Sequence, residues 1–132
     1  KGIPVMGHIG LLPQSSTSFK LQGKKSSQRK KILRDAITLS NSGAFAIVIE
    51  CVVESLAKEI TKDVKVPTIG IGASKHCDGQ ILVIDDVIGL SDLSPKFAKR
   101  YINVKKVITK AVKNYYSDVK RRKFPSSQNV YR

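Results

Sequence analysis

The chain has 132 residues, enough for one domain with a real core, and a hydrophobic fraction of 41% keeps it out of the disordered class. No apolar run is long enough to cross a bilayer, and the segment after Lys1 reads straight into a strand-like stretch rather than a secretory leader. The net charge of +14 raises nucleic acid or an anionic membrane as partners, but the basic residues are scattered outside 24–31 and 120–123, and no aromatic residues alternate with them as a base-stacking platform requires. The charge is therefore read as solvated surface.

In chain order, residues 3–9 form an apolar run bounded by Gly and Pro, the mark of a buried strand. Residues 11–25 are a loop rich in Ser, Gly, Pro and Gln. Over 27–42, Ile32, Leu33, Ala36 and Ile37 recur at helical spacing, and Asn41 and Gly43 stop the helix. A second strand is predicted over 44–50. An amphipathic helix follows over 53–64, with Val53, Leu56, Ala57, Ile60 and Val64 on one stripe. A third strand falls over 67–73, a turn over 74–79 and a short fourth strand over 81–84. After Pro95 the chain turns helical, with Val104, Val107, Ile108, Ala111, Val112, Tyr115 and Val119 on one face. The tail from 124 to 132 is polar and expected to be loose.

Strands alternating with helices predict parallel βαβ units, and nearly continuous apolar strands fit a sheet covered by helices. Side chains alternate across a strand. In 44–50 one face carries Ala44, Ala46, Val48 and Glu50, the other Phe45, Ile47 and Ile49. In 67–73 one face carries Thr68, Gly70 and Gly72, the other Ile69 and Ile71. The bulky faces are expected to meet helices, and the small faces to look into a tight space such as a barrel interior.

Glu50 ends its strand on the small face. At the C-terminal mouth of a parallel barrel a carboxylate is partly desolvated, which makes it a better proton acceptor near neutral pH. The plainer alternative is a strand-end Glu that caps the next helix or pairs with a Lys. His8 also ends a strand; on position alone a structural histidine is preferred to direct catalysis. His76, Cys77 and Asp78 stand in a row, but adjacent residues on one loop rarely wrap one ion and no distant pair completes the set. Cys51 is expected to face away from Glu50, against a nucleophilic role. The two cysteines, Cys51 and Cys77, form no CxxC pair, which fits a reducing intracellular compartment, taken as the cytoplasm. Gly70-Ile71-Gly72-Ala73 lacks the third glycine of a dinucleotide fingerprint and reads as close backbone approach instead.

These segments together resemble the ketopantoate hydroxymethyltransferase family. Gly7-His8-Ile9-Gly10-Leu11-Leu12-Pro13-Gln14 is similar to its GHxGLxPQ motif, and Phe19-Lys20-Leu21-Gln22-Gly23 to its FxxQG segment. Ala46 to Val52 resembles the strand that presents its general base. Val66-Pro67-Thr68-Ile69-Gly70-Ile71-Gly72-Ala73 and Cys77-Asp78-Gly79-Gln80-Ile81-Leu82-Val83 look like its IPxIGIGAG and DGQxLV run. Pro95-Lys96-Phe97-Ala98-Lys99 and Phe124-Pro125 match two later segments. Each motif is weak alone; their order and spacing over nearly the whole chain are specific. Ser74 departs from a family glycine, and Asn129 stands where the family often has His, so no role is carried onto it.

The resemblance implies a (β/α)8 TIM-type barrel, of which residues 1–132 would be the C-terminal four strands with their helices plus the C-terminal helices. It implies transfer of a hydroxymethyl group from 5,10-methylenetetrahydrofolate to 3-methyl-2-oxobutanoate, giving 2-dehydropantoate for pantothenate biosynthesis. Glu50 would be the proton acceptor and His8 an orienting group. Magnesium is implied with ligands in the family's N-terminal half, none in this chain, and so is a homo-oligomer, typically a decamer. Two rival readings stand beside it: an inactive truncated half-barrel, and a basic nucleic-acid-binding module that rests on net charge alone.

Overall fold

A computed structural model describes residues 2–15, 20–92 and 95–131, and divides into two compact units, Lys1–Leu82 and Val83–Arg132. The first unit contains four strands, β1 (Met6–Gly10), β2 (Ala46–Glu50), β3 (Thr68–Ile71) and β4 (Gly79–Gln80), with helices α1 (Ser26–Asn41) and α2 (Glu54–Asp63) between them. The strands form one sheet in the order β1-β2-β3-β4, every pair parallel. The predicted α/β class and parallel sheet are both present.

The core lies between this sheet and its two helices. Ile9, Ile47 and Ile49 from the strands meet Ile32 and Ala36 of α1 and Leu56, Ala57 and Ile60 of α2. Ile47, Ile49, Leu56 and Ile60 are wholly buried; each such side chain stabilises the fold by about 1.5–3 kcal/mol relative to exposure. The helical spacing read from sequence thus marks the buried faces, except that Ile37 of the expected α1 stripe is exposed. Arg29 of α1 pairs with Glu59 of α2, and its Nη1 donates to Ser55 Oγ at 3.3 Å, so the outer sides of the helices are tied as well.

All four strands differ in extent from expectation: β2 begins at Ala46 rather than at 44, and β3 runs Thr68–Ile71 rather than 67–73. β1 begins at Met6, where pairing with Ala46 starts, and Ile3 and Val5 before it are exposed. The fourth strand is Gly79–Gln80, paired to Ile69 and Gly70, rather than 81–84. Ile81 gives one further backbone bond to Gly70 O, and Ile84 already begins a helix.

The larger correction concerns faces. The register sets Ile47 beside Thr68 and Ile49 beside Gly70, so the small face of β3 lies on the helix side of the sheet. Ile69 and Ile71 lie on the other side, beside Val48 and Glu50. Thr68 is buried with its hydroxyl 3.0 Å from Thr61 Oγ1 on α2. Gly70 leaves room for the loop after β3: a Cβ there would stand 3.1 Å from Cys77 Sγ, in the core. The small residues of β3 thus admit a tucked loop, not a barrel interior.

The second unit holds α3 (Ile84–Ile88) and α4 (Val104–Lys120). Asn103 caps α4, accepting a hydrogen bond from Lys106 N at 3.0 Å. The apolar stripe predicted for this helix is present but unburied: Val107 is 61% and Val112 59% exposed. In the tail expected to be loose, Ser127–Asn129 makes a short 3-10 turn capped by Ser126, and the Phe124 ring stands 5.4 Å from that of Tyr115.

Candidate active site

Parallel strands present their C-terminal ends together, and in sheets of this kind that is where ligands bind. Here the ends of β1 and β2 bring His8 and Glu50 to one face. Their register is diagonal: His8 pairs with Val48 and Gly10 with Glu50, so the two side chains sit two residues apart on neighbouring strands of one face. His8 Nε2 lies 3.1 Å from Glu50 Oε2, at an angle outside hydrogen-bond geometry. Glu50 is 9% exposed. The His8 side chain keeps about a third of its surface open, though its Nε2 is buried. Val48, Ile69 and Ile71 supply hydrocarbon on the same face.

The backbone around Glu50 is held from three directions. Leu11 N donates to Glu50 O at 2.9 Å, and Cys51 N to Ile71 O at 2.9 Å. Beyond the strand end, Gln22 N donates to Cys51 O at 2.7 Å and Val53 N to Gln22 O at 3.0 Å, so the long β1–α1 connection returns to add a rung beside Val52. Gln28 in the first turn of α1 accepts from Gly23 N at 2.7 Å and bonds the Gln22 side chain. The Gln22-Gly23 pair of the loop motif is therefore a clasp at the site's edge, a role that periodicity could not show. Phe19 of that motif lies outside the described residues.

Gly10 has φ +92, and a Cβ at this position would run into the carbonyl oxygen of Glu50. Only glycine allows β1 to turn there while staying bonded to β2. Cys51 follows Glu50 with φ 51 and is buried. Burial, then the charge of Glu50, pushes its thiol pKa up, which keeps it protonated and poorly nucleophilic.

His76, Cys77 and Asp78 diverge. Cys77 enters the core, and His76 is exposed with its N–H on Ser74 Oγ at 3.1 Å. Asp78 accepts from both the N–H and the hydroxyl of Thr68, at 2.8 and 2.9 Å. Among the described residues no three His, Cys, Asp or Glu side chains converge as a metal-binding group. Among the described residues the sheet end thus presents one shielded carboxylate with an imidazole beside it.

These features define a parallel α/β protein with a carboxylate at the C-terminal end of a buried strand. Comparison with known proteins narrows the class. The model of the Ketopantoate hydroxymethyltransferase family matches residues 1–127, and the chain belongs to that family. It is 59% identical over 129 residues to a 3-methyl-2-oxobutanoate hydroxymethyltransferase of Pelagibacter ubique, covering 98% of this chain and 50% of that protein. Proteins of the same name from Caldivirga maquilingensis and Thermosipho africanus are 56% and 50% identical, covering 96% and 98% of this chain and 49% and 51% of theirs. The chain spans about half the length of the curated relatives it matches.

Proposed function

We propose that this chain supplies the C-terminal four strands of a (β/α)8 barrel and the general base of a 3-methyl-2-oxobutanoate hydroxymethyltransferase. The observation that carries the reading is Glu50: a carboxylate nearly excluded from water, ending a parallel strand, with His8 Nε2 at 3.1 Å. Glu50 takes the proton from the carbon next to the keto group. The resulting enolate carbon bonds the one-carbon unit of 5,10-methylenetetrahydrofolate. Water supplies the hydroxyl oxygen, the carbon–nitrogen bonds break with the nitrogens taking protons, and tetrahydrofolate leaves, so the product is 2-dehydropantoate. His8 is the orienting group by its proximity, with Nε2 3.1 Å from Oε2, rather than through a formed hydrogen bond, and Val48, Ile69 and Ile71 offer hydrocarbon to the branched end of the keto acid.

Magnesium does not fit the residues of this chain by themselves. It prefers near-octahedral oxygen ligands, and the site face offers one carboxylate and one imidazole. Its ligands would lie on strands outside these 132 residues. The two cysteines, both free and buried, accord with a reducing cytoplasmic setting, and the family reading includes a homo-oligomer. No helix among the described residues is long and apolar enough to cross a membrane.

The test is Glu50→Gln in the complete protein. Turnover is expected to fall by about 10²–10⁴-fold, and solvent deuterium exchange at the carbon next to the keto group should stop, while thermal stability holds. Near-normal turnover and exchange overturn the assignment.

A further inference from the structure

The second unit contains a groove of about 530 Å³ beside α4 that the chemistry of Glu50 does not use. Five cations line it, Arg100, Lys105, Lys106, Lys110 and Lys113, against one carboxylate, Asp92. Asp92 is already engaged: Lys105 hydrogen-bonds it and, with Arg100 nearby, holds its carboxyl below the usual range. Lys106, Lys110 and Lys113 have no acidic partner among the described residues. They are exposed and stand four and three residues apart, on one side of the helix. At 1.5 Å per residue they form a row about 10 Å long. Like charges at this spacing repel, and a bound anion relieves the repulsion.

The row also stays accessible when the apolar stripe is covered. At 100° per residue, Lys106, Lys110 and Lys113 centre roughly 180° from Ile108, Ala111, Val112 and Tyr115. A partner seated on the apolar stripe therefore leaves the lysines uncovered. Thr109 and Asn114 add neutral hydrogen-bonding groups along the groove.

We propose that this groove binds a small linear anion carrying three or more negative charges along about 10 Å, either a phosphoanhydride chain or an oligoglutamyl chain. The shared chemistry is a row of anionic oxygens matched to a row of ammonium groups.

Calorimetric titration of the 132-residue chain with tripolyphosphate, tri-γ-glutamate and orthophosphate tests it. Saturable one-to-one binding of at least one linear probe, about tenfold or more tighter than orthophosphate, is expected, because linked charges engage the row together. Whichever linear probe binds more tightly identifies the source. The variant K106Q/K110Q/K113Q should lose that binding, while K58Q/K62Q/K65Q, with the same charge change on α2 and after it, should keep it. In the unsubstituted chain the bound probe should protect Lys106, Lys110 and Lys113 from amine acylation but not Lys58 or Lys62, an arm that does not depend on any variant folding. Absence of saturable binding, equal loss in both triple variants, or uniform protection of all lysines overturns the proposal.

Discussion

Thr68 and Asp78 bond each other in both directions: the Thr68 N–H and hydroxyl donate to Asp78 Oδ2 at 2.8 and 2.9 Å, and Asp78 N donates back to Thr68 Oγ1 at 3.3 Å. The pair fixes the loop after β3 to the start of that strand. Thr68 is wholly buried, so its hydroxyl depends on these partners and on Thr61. Thr68→Val keeps the shape and strands the remaining polar groups. It should cost about 1–3 kcal/mol in urea denaturation, and Thr68→Ser should cost less. A Val variant as stable as the parent would show that the hydroxyl contributes nothing.

The same pair makes stability depend on pH. The Thr68 backbone bond first, then its hydroxyl bond, holds the Asp78 carboxyl below its ordinary pKa of 3.8. A carboxyl whose pKa is lower folded than unfolded adds stability above the unfolded value and loses it as pH falls through the folded value. The stability gap between the parent and Asp78→Asn should therefore be full at pH 6 and shrink below 3.8. A gap that is flat down to strong acid contradicts the assignment.

Gly10→Ala attacks the junction of β1 and β2. The positive φ alone costs a non-glycine residue about 1–2 kcal/mol, and the added Cβ meets the Glu50 carbonyl that accepts from Leu11 N. The expected loss exceeds about 2 kcal/mol. In the complete protein turnover should fall with it, since the same carbonyl anchors Glu50. A variant with full stability would mean that the strand end is freer than its bonds imply.

In the proposed function His8 positions Glu50, so its variants should grade by what they can offer that carboxylate. In the complete protein His8→Leu should reduce kcat by about 10- to 100-fold, the scale of a misplaced reacting group, with KM little changed. His8→Gln, which retains a polar tip near Glu50, should recover part of that loss. Equal rates for the two variants would leave His8 with a packing role only.

Much of the fold was legible from residue order. Ile47 and Ile49 alternate with Val48 and Glu50, and this alternation separates the core side of β2 from the site side. The helical spacing of Leu56, Ala57 and Ile60 marks the buried stripe of α2. What misled was β3. Alternation says which residues share a face, but only the pairing of Ile49 with Gly70 says which side that face takes. Gly79 and Gln80 make too short a strand to show any alternation. The rung from Gln22 to Val52 joins residues thirty apart through backbone groups alone, which no side-chain pattern records. The site divides the same way. Glu50 was visible as a strand-end carboxylate; its diagonal neighbour His8 needed the register.

The stripe of Val107, Ile108, Val112 and Tyr115 on α4 stays open to solvent on a chain of net charge +14. Two forces between molecules then oppose each other. Apolar surface draws copies together, while like charge holds them apart over about 30 Å at 0.01 M salt and only about 8 Å at 0.15 M. Ionic strength is therefore expected to act as a colloidal control on this chain, with light scattering rising as salt is added to a dilute buffer.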